Sequence, residues 1–255
     1  MRVIVTRPLH EAAQWAGELR QRGFQAQALP LIRILAPESD EDVARAWRLL
    51  ASARAAMFVS SNAVRHFFAS PAAPGTWPDG VRAWATGPGT ALALVAAGVA
   101  EPLIDAPPAD AAQFDSETLW RQVAGQVAPR DQVLIVRGAE AGHPESRGRD
   151  WLEQQLGAAG AQVTTAVAYL RAVPQWSLAQ FDEAARAASD AAWLFSSSQA
   201  VANLRDLLPG QAWNAACAIA THPRIERAAR DAGFGVVCVS RPSVEAVVAA
   251  LKSFG

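Results

Sequence analysis

Lysine, tyrosine and cysteine are nearly missing from this chain of 255 residues. Lys252 is the only lysine, Tyr169 the only tyrosine, and Cys217 and Cys238 the only cysteines. Both cysteines lie inside apolar runs, and no CxxC or Cys/His cluster accompanies them. That excludes a disulfide framework and a structural zinc site, and it predicts two buried free thiols. With a single lysine, every other cation is an arginine, a planar fork of fixed charge that suits carboxylates. There is no excess of one sign: 23 basic residues face 24 acidic ones, for a net charge of −1. Without a basic field, a nucleic-acid partner is not expected. Long apolar runs are absent too. The stretch from Ala91 to Ala100 falls well short of the roughly 18 residues a membrane span needs, so no membrane partner is expected. The opening Met1-Arg-Val-Ile-Val-Thr-Arg-Pro8 lacks the apolar core and small-residue cleavage site of a secretory leader, and a cytoplasmic location is expected.

Signatures of common chemistry are also missing. Thr86-Gly-Pro-Gly-Thr90 lacks the Gly-Lys-Ser/Thr ending of a phosphate loop and is not GxGxxG, so nucleotide binding has no support. The serine-rich turns lack the GxSxG elbow of a hydrolase. His10, His66, His143 and His222 are scattered, and no two carboxylates share a strand end, which removes the simplest acid–base pair.

What is present is a regular architecture. Hydrophobic residues make up 51% and charged residues 18%, which excludes disorder and leaves ample material for packed cores. Short β-like runs occur at Val3–Val5, Met57–Val59, Val81–Ala85, Pro102–Ile104, Val133–Val136, Val163–Tyr169, Ala192–Phe195, Ala215–Ala220 and Val236–Val239. Helical patterns fall between them. One carries Trp15 and Leu19 on a face and stops at Gly23. Another follows Asp150 as its cap, with Leu152 and Leu156 on one face and Gly160 at its end. A last one buries Val244, Val247, Val248 and Leu251. Strand–helix alternation of this kind predicts parallel sheets covered by helices, an α/β fold of flavodoxin-like units. Trp15, Trp47, Trp84, Trp120, Trp151 and Trp193 are read as core.

The chain also repeats itself. Phe58-Val-Ser-Ser-Asn-Ala-Val64 matches Phe195-Ser-Ser-Ser-Gln-Ala-Val201 at an offset of 137, and Ala85-Thr-Gly-Pro88 matches Ala220-Thr-His-Pro223 at 135. Gly98 matches Gly233, and Val3-Ile-Val5 with Gly23 matches Leu134-Ile-Val136 with Gly160. Two Pro-bounded extended segments, about 30–37 and 167–174, hold equivalent places and predict strands crossing between two lobes. The first lobe is then 1–35 plus 173–255, and the second is 36–166. Val3–Val5 is predicted to share a sheet with Ala192–Phe195, Ala215–Ala220 and Val236–Val239 rather than with Met57–Val59.

In such sheets ligands sit beyond the carboxyl ends of the strands, where helices begin and backbone N–H groups point at anions. Those ends contain Thr6-Arg-Pro8, Ser60-Ser-Asn62, Thr86 to Thr90, Arg137-Gly138, Ser196-Ser-Ser198, Thr221-His-Pro-Arg224 and Ser240-Arg-Pro-Ser243. Hydroxyls, glycines and arginines around one cleft between the lobes would suit a polycarboxylate ligand. Each has a plainer account. Ser60, Ser61, Ser197 and Ser198 are good helix caps, Pro88 and Pro223 fit a first helical turn, and His222 can stabilise its turn. Tyr169 is either a half-buried packing residue of a linker or a phenol presented at the lobe interface.

The ordered set Val3-Ile-Val-Thr-Arg-Pro8, Gly23-Phe24, Pro30-Leu-Ile32, Phe58 to Val64, Thr86-Gly-Pro88, Asp115-Ser-Glu-Thr-Leu119, Val133 to Gly138 with Arg149-Asp-Trp-Leu152, Tyr169-Leu-Arg171 and Thr221-His-Pro-Arg-Ile225 resembles the uroporphyrinogen-III synthase family along the whole chain. The resemblance implies two α/β lobes joined by a two-stranded linker, with the active site in the cleft and no metal or organic cofactor. It implies a monomer in haem biosynthesis, with the preceding pathway enzyme as a transient partner. The implied substrate is hydroxymethylbilane, a linear tetrapyrrole with eight carboxylates. Ring A loses its hydroxyl to give an azafulvene, ring D attacks through its substituted carbon, and the spiro intermediate fragments and recloses with ring D inverted.

Carried over by position, Tyr169 matches the tyrosine proposed to help hydroxide leave. Thr90 matches a threonine of the glycine-rich turn, and Ser61, Asn62, Ser197 and Ser198 match hydroxyl or amide positions. Thr221 and His222 stand where many members have a glycine-type turn. Arg7, Arg137, Arg149 and Arg224 are inferred as carboxylate partners. Two other readings share the same pattern. A non-catalytic tetrapyrrole-binding or sensory module would keep the fold and lose turnover, and a sugar or nucleotide transferase would need the phosphate loop that is missing.

Overall fold

The computed structural model of the chain describes residues 1–108, 110–111, 113–142 and 151–254. In chain order the elements are β1 (Arg2–Val5), α1 (Leu9–Gln21), β2 (Gln25–Ala28), β3 (Arg33–Leu35), α2 (Glu41–Leu50), β4 (Ala55–Phe58), α3 (Ser61–Phe68), β5 (Arg82–Ala85), α4 (Pro88–Ala96), β6 (Ile104–Asp105), α5 (Ser116–Val123), β7 (Gln132–Glu140), α6 (Trp151–Ala158), β8 (Gln162–Ala172), α7 (Leu178–Ala187), β9 (Ala191–Phe195), α8 (Ser198–Leu207), β10 (Cys217–Ala220), α9 (Pro223–Asp231), β11 (Val236–Val239) and α10 (Val244–Lys252). They fall into two compact units, Met1–Ile34 with Ala172–Gly255, and Leu35–Arg171.

The first unit holds a parallel sheet in the order β11-β10-β9-β1-β2. Val3–Val5 therefore lies beside Ala192–Leu194, in the sheet expected for it. Side chains alternate across a strand, and both faces here are covered, so Val3-Ile-Val5 of β1 is apolar throughout. Val3 and Val5 face Ala12, Ala16 and Leu19 of α1 and Val247 and Leu251 of α10. Ile4 faces the other way, into a cluster with Trp193, Phe195, Val201, Leu204 and Ile225. A fully buried valine or isoleucine contributes about 1.5–3 kcal/mol, so this short strand is a main anchor of the unit.

The second unit is built on a sheet of order β3-β8-β7-β4-β5-β6. Met57, Trp84, Val133 and Ile135 meet Leu119, Val123, Leu152 and Leu156 of α5 and α6 on one face. Aromatic rings fill another part of this unit's core. Trp47 stacks on Phe67 with centroids 4.3 Å apart, Phe58 meets Phe67 edge-on, and Trp47 Nε1 donates to the Phe67 carbonyl at 3.1 Å. The helix ends follow their local chemistry. Ser60, Asp115, Ser177, Ser197, His222 and Ser243 cap with their side chains. Gly23 and Gly160, and Gly98 and Gly233, end matching helices of the repeat with φ of +89°, +82°, +93° and +93°, a backbone that favours glycine.

Several expectations are corrected. β2 was not anticipated, because Gln25-Ala-Gln-Ala28 has no β-branched residues; it forms as an edge strand with alternate residues exposed. Pro102 belongs to a short 3₁₀ turn, Glu101–Leu103, so that strand is only Ile104–Asp105. Of the 30–37 segment only Arg33–Leu35 is strand, whereas Val163–Tyr169 and the segment after it are one strand, Gln162–Ala172. β7 continues to Glu140, so Arg137 and Gly138 lie inside a strand rather than where a helix begins. Trp15, Trp120 and Trp151 are half-buried, as indoles at helix surfaces often are. Cys217 and Cys238 are half-buried too, and burial pushes the Cys217 thiol above its ordinary pKa. Asp150, Arg149 and His143 lie outside the described residues.

Candidate active site

In the second unit, β7 and β8 run past the end of β4. Phe58 of β4 is level with Val136 of β7, and two residues later Ser60 opens α3. Its Oγ accepts from the Ala63 N–H at 3.1 Å, and it also meets the hydroxyl of Tyr169 at 3.1 Å. The single tyrosine is 4% exposed, so it is a buried side chain and not the half-buried linker residue of the plainer reading. Its ring lies against Gly138 on the neighbouring strand, and the imidazole of His66 flanks it at 5.9 Å between centroids. Burial lowers the His66 pKa below its ordinary value of 6.5, and nearby Arg65 acts in the same direction, so this imidazole is neutral near pH 7.

Two neighbouring turns complete this end of the sheet. Ser61 and Asn62 sit in the first turn of α3, where Asn62 Oδ1 accepts from Arg65 at 3.4 Å. Ser60, not Ser61, is therefore the cap. Thr86 Oγ1 donates to the Val59 carbonyl at 3.1 Å, which ties the turn before α4 to the one before α3. Thr90 is buried in the first turn of α4. Arg137 and Arg171, near the ends of β7 and β8, each carry a buried Nε without a hydrogen-bond partner among the described residues.

The first unit has its own row of turns. Ser197 caps α8 by accepting from Gln199 N–H at 3.1 Å, and Ser198 is the exposed first residue of that helix. Thr221 is buried, and His222 caps α9 through Nδ1, accepting from Arg224 N–H at 3.1 Å, while Arg224 itself is exposed. Arg7 is engaged through part of its guanidinium, and its buried Nε has no hydrogen-bond partner among the described residues. It pairs with Glu11 at 3.3 Å and lies 4.3 Å above the Trp15 ring. Burial lowers its pKa, opposed by Glu11.

So Ser61, Asn62, Thr90, Arg137 and Tyr169 gather at one end of the second sheet, and Arg7, Ser197, Ser198, Thr221, His222 and Arg224 at the corresponding end of the first. A family model described as uroporphyrinogen-III synthase HemD matches residues 13–249. The chain belongs to the uroporphyrinogen-III synthase family.

Members of this family are lyases of haem biosynthesis. The fold agrees with two solved structures. The uroporphyrinogen-III synthetase of Helicobacter pylori is 17% identical with a TM-score of 0.59, and all of each chain is covered. A mutant uroporphyrinogen III synthase of Thermus thermophilus is 17% identical with a TM-score of 0.57, covering 99% of this chain and 98% of that one. At that identity the likeness is one of fold. Comparison with curated proteins gives no match.

Three residues around the phenol have places that their sequence readings do not give. The sequence puts Ser60 and Gly138 at strand ends, Ser60 as a helix cap, and His66 among four scattered histidines, whereas Ser60 meets the hydroxyl, Gly138 lies against the ring and His66 flanks it. Ser60 and Tyr169 are 109 positions apart, and no local pattern marks such a pair. The signal that existed was the isolated glycine in a strand-like run, which marks a close approach. Among the described residues no group of three His, Cys, Asp or Glu could hold a metal ion, and no helix is long and apolar enough to cross a membrane.

Proposed function

We propose that this chain closes hydroxymethylbilane into uroporphyrinogen III, with Tyr169 as the proton donor to the leaving hydroxyl of ring A. The family match over residues 13–249 carries the activity. The Tyr169–Ser60 hydrogen bond carries the residue assignment. A buried tyrosine with a satisfied hydroxyl is also what an ordinary core contains. What favours chemistry is its place beyond the carboxyl end of β4, beside the start of α3, where parallel sheets put their ligands.

Ser60 Oγ accepts from Ala63 N–H and keeps its own proton to donate. Donated to the phenol oxygen, that proton leaves the phenol O–H aimed elsewhere and stabilises the oxygen as its proton departs. The phenol gives its proton to the ring A hydroxyl, water leaves, and the azafulvene forms. Ring D attacks through its substituted carbon, the spiro intermediate opens and recloses, and the last ring proton is lost, restoring the phenol. Neutral His66 places no positive charge beside these rings. Which carbon of ring D attacks is decided by positioning. The serine, threonine and asparagine turns and the unpaired Nε atoms of Arg137 and Arg171 are donors for the substrate carboxylates. No group of this chain is required to hold a cofactor.

The test is to supply hydroxymethylbilane, oxidise the product and separate the isomers. Type III above the enzyme-free control supports the synthase. Only type I would reduce the chain to a binding module.

A further inference from the structure

The place of the phenol is set by a residue with no side chain. β7 and β8 stay in register up to Arg137 opposite Val167, and then slip, so that Gly138 stands opposite Tyr169. A slip of this kind re-aims the side chains beyond it. Here it lays the Tyr169 ring across the Gly138 Cα. A Cβ at position 138 would overlap Tyr169 Cζ, the atom that carries the hydroxyl, and would lie 2.5 Å from Cε2 and 2.9 Å from Cδ2. Gly138 is not among the glycines with positive φ, so its backbone does not call for glycine. The need is for space alone. On the far side Ser60 Oγ holds the hydroxyl at 3.1 Å.

We propose that Gly138 is a positioning residue of the reaction, its bare Cα and the Ser60 hydroxyl together fixing where the Tyr169 O–H points. This rests on the reading of Tyr169 as proton donor. Any side chain at 138 tilts the ring at its hydroxyl-bearing end, so the effect falls on proton delivery and not on substrate affinity.

Tyr169 is the only tyrosine, so tyrosine labelled with carbon-13 at Cζ alone gives a single resonance that reports this phenol. In Gly138→Ala that resonance shifts, kcat falls by about 10- to 1,000-fold as for loss of a placed donor, and KM stays within about threefold. Added to Tyr169→Phe, Gly138→Ala lowers kcat by no more than about twofold further, because the hydroxyl it misplaces is already gone. An unshifted resonance with parent kcat overturns the inference. So does an equal kcat loss in both backgrounds, which would make Gly138 structural. If Gly138→Ala does not fold, Ser60→Ala probes the other side: the resonance shifts and kcat falls, Ser60→Thr restores both, and an unmoved resonance overturns the inference. Parent turnover in Tyr169→Phe alone sinks the proton-donor reading; slow turnover there with an additive Gly138→Ala sinks only this one.

Discussion

Replacing Tyr169 by phenylalanine removes one oxygen and leaves the ring over Gly138. Ser60 Oγ still accepts from the Ala63 N–H at 3.1 Å, so the cap is kept, while its own O–H loses the phenol as acceptor and, on a half-buried residue, turns to solvent. The stability cost is therefore that of one ordinary hydrogen bond, about 1 kcal/mol, or a Tm lower by about 2–4 °C for a chain of this size. The kinetic cost is larger. Without the phenol the hydroxide departs with no placed proton, a loss of about 10- to 1,000-fold in kcat, equivalent to roughly 1.4–4 kcal/mol in the barrier. Single-turnover conversion of hydroxymethylbilane with isomer separation measures both rate and outcome. The product that does form stays type III, since geometry and not the phenol selects the attacking carbon of ring D. Parent-like turnover, with folding intact, would refute the assignment and leave Tyr169 as a core residue.

Arg137→Ala is expected to raise KM by about tenfold with kcat within about twofold, the pattern for a charged donor to a remote carboxylate; kinetics on purified substrate decides, and a kcat-only loss would make Arg137 catalytic. Arg7→Ala is expected to lower Tm, since Arg7 pairs with Glu11 and lies over Trp15, and to raise KM as well, since its buried Nε is unpaired; melting and steady-state kinetics of the one variant check both. His66 has a folded pKa below 6.5, so the unfolded chain binds its proton first. Stability is unaffected above that pH and falls as pH drops below 6.5 toward the folded value, and His66→Asn flattens this acid limb in denaturant titrations. At Gly235 a Cβ would collide with the Asn214 carbonyl oxygen and lie 2.9 Å from its carbon; Gly235→Ala costs about 3 kcal/mol of stability by chemical denaturation. Turnover survives exhaustive chelation, and loss that a metal restores would contradict this.

The features legible in the sequence are those whose physics is local. Strands buried on both faces, such as Val3-Ile-Val5, read as continuous apolar runs. Serines and His222 before helices are caps whatever the rest of the fold does. Gly23, Gly98, Gly160 and Gly233 end helices because their own φ angles demand it. The repeat follows from these signals recurring in the same order, and with them the α/β class and the ends of strands where ligands bind. Tertiary structure alone decided the rest. Gln25-Ala-Gln-Ala28 becomes a strand only because β1 offers it an edge. β7 outruns its apolar core to reach Arg137 and Gly138 because β8 pairs with it that far. Tyr169 meets Ser60 and lies over Gly138 through pairings of distant segments, and a register slip between two strands leaves no trace in composition or periodicity. The chain thus announces where its chemistry should lie, while the placing of the phenol depends on contacts that exist only once the sheet has formed.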